Sequence, residues 1–285
     1  MLAWRDGDWL NVPEAATVEQ LAPGPSLFET FALRGGQVVA LADHLARLAQ
    51  GCARFGLDPA RLRLGTAPDP ALWSPVVRKL LARAELTDAI LRLIVVPDGV
   101  GGAVEWLTVR PLPATPPSLS LRLLRTVRDE PEWLPRPKSG PWRNSAAALR
   151  ELAAVADTNE TEGLQCDARG HLSEGPRSSL AWLESGRWYC PAAATGRLPG
   201  TAAAHFRAVL VAAGRDVCEV AAPLPMQATA WIVLRSTFAD GGVPAHEVRG
   251  VDGGLLWQPP AEAPETRALL AALAAARAQR CVNLL

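Results

Sequence analysis

The chain has 285 residues, 49% of them hydrophobic, which is enough for one or two domains with a packed core. Its 29 basic and 29 acidic residues cancel, which argues against a general polyanion binder, since counterion release needs a basic excess. Of the 29 basic residues 27 are Arg, so lysine chemistry has two places to occur, Lys79 and Lys138.

Residues 3–11 read as a short strand containing a Gly-Asp turn, and the acidic opening has no apolar run of the signal-peptide kind. The stretch 26–41, split by Gly35-Gly36, predicts a hairpin. Asp43 is then expected to cap a helix that stops at Gly56, with Leu45, Leu48, Cys52 and Phe55 forming its buried face. Pro75 suits the first turn of a second helix, about 74–86, and 89–96 and 104–109 read as strands. The prolines of 110–118 favour an extended connector. The expected organisation is therefore a small N-terminal α/β domain over 1–110, a connector over 111–118, and a larger α+β domain over 119–285.

In the second part 119–127 reads as a strand, 129–142 as a Pro-rich loop and 144–157 as a helix. Hairpin turns follow at Asp167–Gly170 and Glu184–Arg187. A helix after Gly200 ends at Gly214, strands occupy about 216–221, 229–235 and 243–249, and a final helix covers about 264–279. Strands and helices mix without strict βαβ alternation, so the fold class is α+β.

Several chemistries lack support. No apolar run approaches the ~20 residues that cross a bilayer. The five cysteines are scattered, odd in number and without a CxxC pair, which predicts reduced thiols in a cytoplasm rather than a disulfide framework. The four histidines show no HxxxH or HExxH spacing, and neither GxGxxG after a strand nor a P-loop is present.

The candidates for chemistry are few. Lys138 sits in a loop of prolines and glycines between a strand and a helix, whereas Lys79 lies on an amphipathic helix and reads as a solvated side chain. Glu174 follows the DARG turn and Arg47 lies on the polar side of the first helix. LPGT (198–201) opens a helix, whose N-terminus is a natural anion site, and Ser236-Thr237 forms a late hydroxyl-bearing turn.

In this order, LFET, HLARL, the lysine loop, D-x-x-G-x-x-x-E, LPG and Ser-Thr resemble the class IV aminotransferase family over about residues 26–250. The resemblance implies a two-domain fold-type IV architecture, like that of D-amino-acid aminotransferase, with pyridoxal 5′-phosphate in the cleft between the domains. It also implies a homodimer acting on a small amino substrate. Lys138 would form the Schiff base and move protons, and Glu174 would hold the pyridine nitrogen protonated. Arg47, Thr201, Ser236 and Thr237 would hold the phosphate, while Arg136 and Arg143 are candidates for substrate carboxylate.

The sequence departs from the family pattern at several points. Ala202-Ala203 stands where many relatives have Thr-Arg, and Ser179 where Asn is common. The tyrosine that often follows the lysine is replaced by Trp142 or Arg143, the one tyrosine being Tyr189. Pro97-Asp98-Gly99 replaces an Arg-Gly whose arginine grips substrate carboxylate in some transaminases. With the ungapped spacing from Phe28 to Leu48, this is closest to 4-amino-4-deoxychorismate lyase, which gives 4-aminobenzoate and pyruvate for folate synthesis. The competing expectations are a branched-chain or D-amino-acid aminotransferase, and a degenerate binding protein on the same fold.

Overall fold

The computed structural model describes residues 2–12, 25–99, 102–130, 134–140, 143–259 and 264–285. In chain order the elements are β1 (Leu2–Arg5), β2 (Asp8–Asn11), β3 (Ser26–Arg34), β4 (Gln37–Val39), α1 (Leu41–Arg54), α2 (Pro70–Ala84), β5 (Ala89–Pro97), β6 (Ala103–Pro111), β7 (Leu119–Leu123) and β8 (Ser139–Gly140). There follow α3 (Arg143–Ala153), β9 (Thr161–Cys166), β10 (Leu172–Glu174), β11 (Ser179–Glu184), β12 (Arg187–Pro191), α4 (Thr201–Ala212), β13 (Val217–Val220), β14 (Ala230–Leu234), β15 (Gly242–Arg249), β16 (Leu255–Trp257), α5 (Pro264–Ala278) and β17 (Cys281–Asn283). The α+β class expected from the pattern is what the chain adopts.

Two compact units result, one of 1–113, 137–141 and 278–285, the other of 114–136 and 142–277. The boundary falls inside the Pro-rich connector. The expected assignment of all of 119–285 to one domain is corrected at two places by main-chain pairing. β8 pairs with β3, and β17 pairs with β4, so both segments extend the first unit's sheet.

The first unit's sheet runs β17-β4-β3-β5-β6-β1-β2, with β8 added beside β3. Alternation along β3 and β5 sends Leu27, Phe31, Leu33, Leu91, Leu93 and Val95 into one core with α1 and α2. The helices bring Leu41, Leu45, Leu48 and Cys52 from α1, and Trp73, Val77 and Leu80 from α2. Residues 2–11 are a hairpin of two strands, its turn made by Asp6 and Gly7 at positive φ, rather than one strand.

Both helix starts differ from expectation. Ala40, at φ 56, precedes α1 without a side-chain cap, and its N–H donates to Arg280 O at 2.9 Å. Asp43 instead lies in the first turn and pairs with Arg280 at 3.1 Å. The second helix begins one turn early because Asp69 accepts from Ala71 N and Pro70 takes the first position, leaving Pro75 inside the helix.

The second unit's sheet runs β10-β9-β7-β15-β14-β11-β12-β13, with β16 beside β15. Every residue of β14 is buried, because both sheet faces are covered. Trp231 and Val233 join Trp182 and Trp257 on one face, whereas Ala230, Ile232 and Leu234 meet α4 and α5 through Phe206, Leu210, Leu269 and Leu273 on the other. The strand predicted over 119–127 stops at Leu123, since the N–H groups of Arg125 and Thr126 turn to the Glu151 carboxylate of α3.

Removing residues 281–285 should lower the first unit's melting temperature by several degrees, as measured by calorimetry. The deletion strips a strand from β4 and takes away Leu284, buried at 1% exposure, whose burial is worth about 1.5–3 kcal/mol.

Candidate cofactor site

Lys138 is fixed in the first unit by main-chain bonds. Phe28 N donates to Lys138 O at 3.0 Å, and the next two residues pair with Leu27 and Ser26. The half-buried Lys138 Nζ then lies 4.8 Å from the centre of the Phe28 ring. The Arg92 guanidinium, reaching from β5, lies 4.7 Å from the same ring. Phe28 sits on the sheet face opposite the α1 and α2 core, as strand alternation requires.

Glu29, next along β3, points to the helices and is fully buried. Arg47 donates from Nε to Oε1 at 2.7 Å and from Nη2 to Oε2 at 2.6 Å, and His44 Nδ1 lies 2.7 Å from Oε2. The two-pronged Arg47 contact is the strong geometry for this pair. Burial alone would push the Glu29 carboxyl up. The Arg47 charge and hydrogen bonds outweigh it, with help from His44, and hold it at about 2. Burial pushes His44 down, more than its bond to Glu29 restores, and the Arg47 and Lys138 charges add to that. A neutral His44 donating to an ionised Glu29 follows.

In the second unit Glu174 ends β10 and is 5% exposed. Its Oε1 pairs with Arg128 at 2.9 Å and Arg136 at 3.8 Å, and its Oε2 accepts from Leu198 N at 2.9 Å. Arg136 also donates to Gly196 O at 3.1 Å, so it is committed to Glu174 and the LPG approach rather than standing apart for a substrate carboxylate. Arg143 is exposed at the first position of α3. Trp142 lies outside the described residues.

The LPG turn places Gly200 at the N-cap of α4 with no side-chain cap. A Cβ built on Gly200 would stand 2.5 Å from Ser179 Oγ, so a larger residue would force that hydroxyl to turn away from the helix start. Ser179 pairs with Leu234 across β11 and β14, which brings this helix start beside the strand that ends in the Ser236-Thr237 turn. Thr201 is buried, and Ser236 and Thr237 are half-buried. Amides at an uncapped helix start beside a hydroxyl-bearing turn suit a phosphate, and Glu174 suits a protonated ring nitrogen. The residues present therefore fit pyridoxal phosphate. Ala202 is buried against the α4 core, and Tyr189 stacks on Trp182 at 5.8 Å.

Arg128, His44 and the buried Glu29 were not singled out from the sequence. His44 and Glu29 had a usable signal, since His44 and Arg47 stand three apart on one helix face behind the LFET strand. Among the described residues no group of His, Cys, Asp and Glu could hold a metal ion, and no helix is long and apolar enough to cross a membrane.

Two outcomes follow. Because the Glu29 carboxyl is held at about 2 against 4.5, its stabilisation is fully present above about pH 4.5 and disappears as pH falls toward 2. It amounts to about 3 kcal/mol. Glu29→Gln should flatten that limb of the stability–pH curve measured by denaturant unfolding. Gly200→Ala should weaken pyridoxal phosphate binding several-fold, read by equilibrium dialysis, while leaving secondary structure intact.

Comparison with known proteins agrees with this geometry. The sequence profile of the class IV amino-transferase family matches residues 26–228. No curated protein sequence matches the chain. Among solved structures the chain is similar to a branched-chain aminotransferase from the thermophilic archaeon Thermoproteus uzoniensis, with 19% identity and a TM-score of 0.77 over 100% of this chain and 99% of that one. It is also similar to the branched-chain amino acid aminotransferase of Escherichia coli, with 17% identity and a TM-score of 0.70 over 94% and 91% of the two chains. A hypothetical aminotransferase from Mycobacterium tuberculosis gives 21% identity and a TM-score of 0.72 over 98% and 99%. The chain belongs to the class IV aminotransferase family and is a pyridoxal-phosphate-dependent enzyme.

Proposed function

We propose that the chain is a lyase that converts 4-amino-4-deoxychorismate to 4-aminobenzoate and pyruvate. The observation that carries this reading is the turn after β5. There Asp98 Oδ1 accepts from Gly102 N at 2.8 Å and Asp98 N donates to Gly102 O at 3.0 Å. An acidic side chain closes the turn at the position where some transaminases of the family carry an arginine for substrate carboxylate. The ungapped spacing from Phe28 to Leu48 supports the same reading.

Bound pyridoxal phosphate supplies an electron sink through its protonated pyridine ring. Lys138 would hold the cofactor through its amine, and the same amine would serve as the base that takes the proton from the substrate ring carbon bearing the amino nitrogen. Glu174 would hold the proton on the pyridine nitrogen. Thr201, Ser236 and Thr237 would hold the phosphate, and Arg47, gripped through Nε and Nη2 by Glu29, would add its positive charge. The enolpyruvyl group departs with its electron pair and takes up a proton to become pyruvate, which leaves the six-membered ring aromatic. We also propose a homodimer, as in the family; a single-subunit mass by light scattering would overturn it.

The branched-chain structures of similar fold make amino-acid transamination the second reading. Pyruvate release from aminodeoxychorismate without any 2-oxo acid is the expected result. Steady amino transfer to 2-oxoglutarate with no lyase turnover would overturn the lyase reading. Borohydride should fix the cofactor on the peptide containing Lys138, and Lys138→Ala should abolish both that adduct and the yellow colour.

A further inference from the structure

We infer that Arg128 is a positioning residue for Glu174, holding its carboxylate in the orientation that a ring nitrogen requires. The inference rests on the reading of Glu174 given above. Arg128 and Glu174 are 4% and 5% exposed, so their 2.9 Å contact is shielded from water. With Oε1 on Arg128 and Oε2 on the Leu198 amide, the carboxylate plane cannot turn freely. A buried carboxylate left without that guanidinium would be an uncompensated charge, and Arg136 at 3.8 Å is too far for a comparable bond.

The guanidinium is itself aimed by three side chains. Arg128 Nη1 donates to Asn144 Oδ1 at 3.0 Å, Ser145 Oγ at 3.1 Å and Gln165 Oε1 at 3.5 Å. Gln165 Nε2 donates back to Asn144 Oδ1 at 3.0 Å, and Arg128 N donates to Cys166 O at 2.8 Å. Asn144 Nδ2 donates to Val127 O at 2.6 Å, so the same cluster ties together the two ends of the segment that carries Lys138. A cluster built only to close that segment would need no arm reaching Glu174. Arg128 Nη2 makes that reach.

The test uses the holoenzyme with Arg128→Met, Arg128→Lys, Glu174→Gln and the Arg128→Met/Glu174→Gln double variant. Cofactor affinity, melting temperature and the pH titration of the visible absorbance band are measured for each. Arg128→Met should weaken pyridoxal phosphate binding roughly tenfold and shift the titration of the band, in line with coupled charged neighbours. Arg128→Lys should restore part of both. The double variant should be no worse than Glu174→Gln in affinity and should melt above Arg128→Met, because the unpaired charge is gone.

Additive effects in the double variant, or a lower melting temperature with an unchanged titration, would overturn the inference and leave Arg128 structural. A Glu174→Gln band that titrates like the parent's would instead overturn the reading of Glu174, and this inference with it. If Arg128→Met does not fold, Asn144→Ala removes one aiming contact and should shift the titration in the same direction by less; an unshifted band there also overturns the inference.

Discussion

Charge compensation of buried carboxylates is the constraint on which both units depend. Glu29, Glu162 and Glu174 are each at most 5% exposed, and each carries an arginine: Arg47, Arg235 and Arg128 respectively. A carboxylate leaves water only when a cation or enough hydrogen bonds replace it, and Glu105, buried at 1% exposure, takes three main-chain amides instead of an arginine. Arginine suits this better than lysine, because its planar fork grips both oxygens and is more weakly hydrated. The arginine-rich composition thereby acquires a structural use, whatever its origin.

The same chemistry explains why Lys138 stands apart. Guanidinium can pair, stack and aim, but it stays protonated and is no useful nucleophile. The position proposed to form a covalent bond to the cofactor needs an amine. β3 serves both demands through strand alternation: Phe28 meets Lys138 and Arg92, and its neighbour Glu29 anchors α1 through His44 and Arg47. Main-chain pairing of β8 then sets Lys138 against β3 without asking anything of its side chain.

Much of this was legible in local sequence. The Gly35-Gly36 hairpin, the apolar face of α1, the turn at Asp167–Gly170 and the LPG helix start are short-range signals, and each fell where expected. Two helix starts were not. Asp69-Pro70 and Asp43 carry similar capping chemistry, and what separated them was whether the preceding backbone was already claimed, as Ala40 is by Arg280. The strand expected to continue to Val127 ended early for a related reason, since a carboxylate from α3 competed for its amides.

Composition and ordered motifs by themselves determined the α+β class, the family and the cofactor, and they pointed to Lys138 as the one of two lysines that lies in a loop. Tertiary structure alone decided that 137–141 and 278–285 belong to the first unit, since strand pairing over long separations leaves no local trace. It also decided which of the 27 arginines matter. Arg128 looks like any other loop arginine in the sequence. What distinguishes it is burial beside Glu174, a residue 46 positions away, and desolvation of that pair is a property of the fold rather than of either neighbourhood.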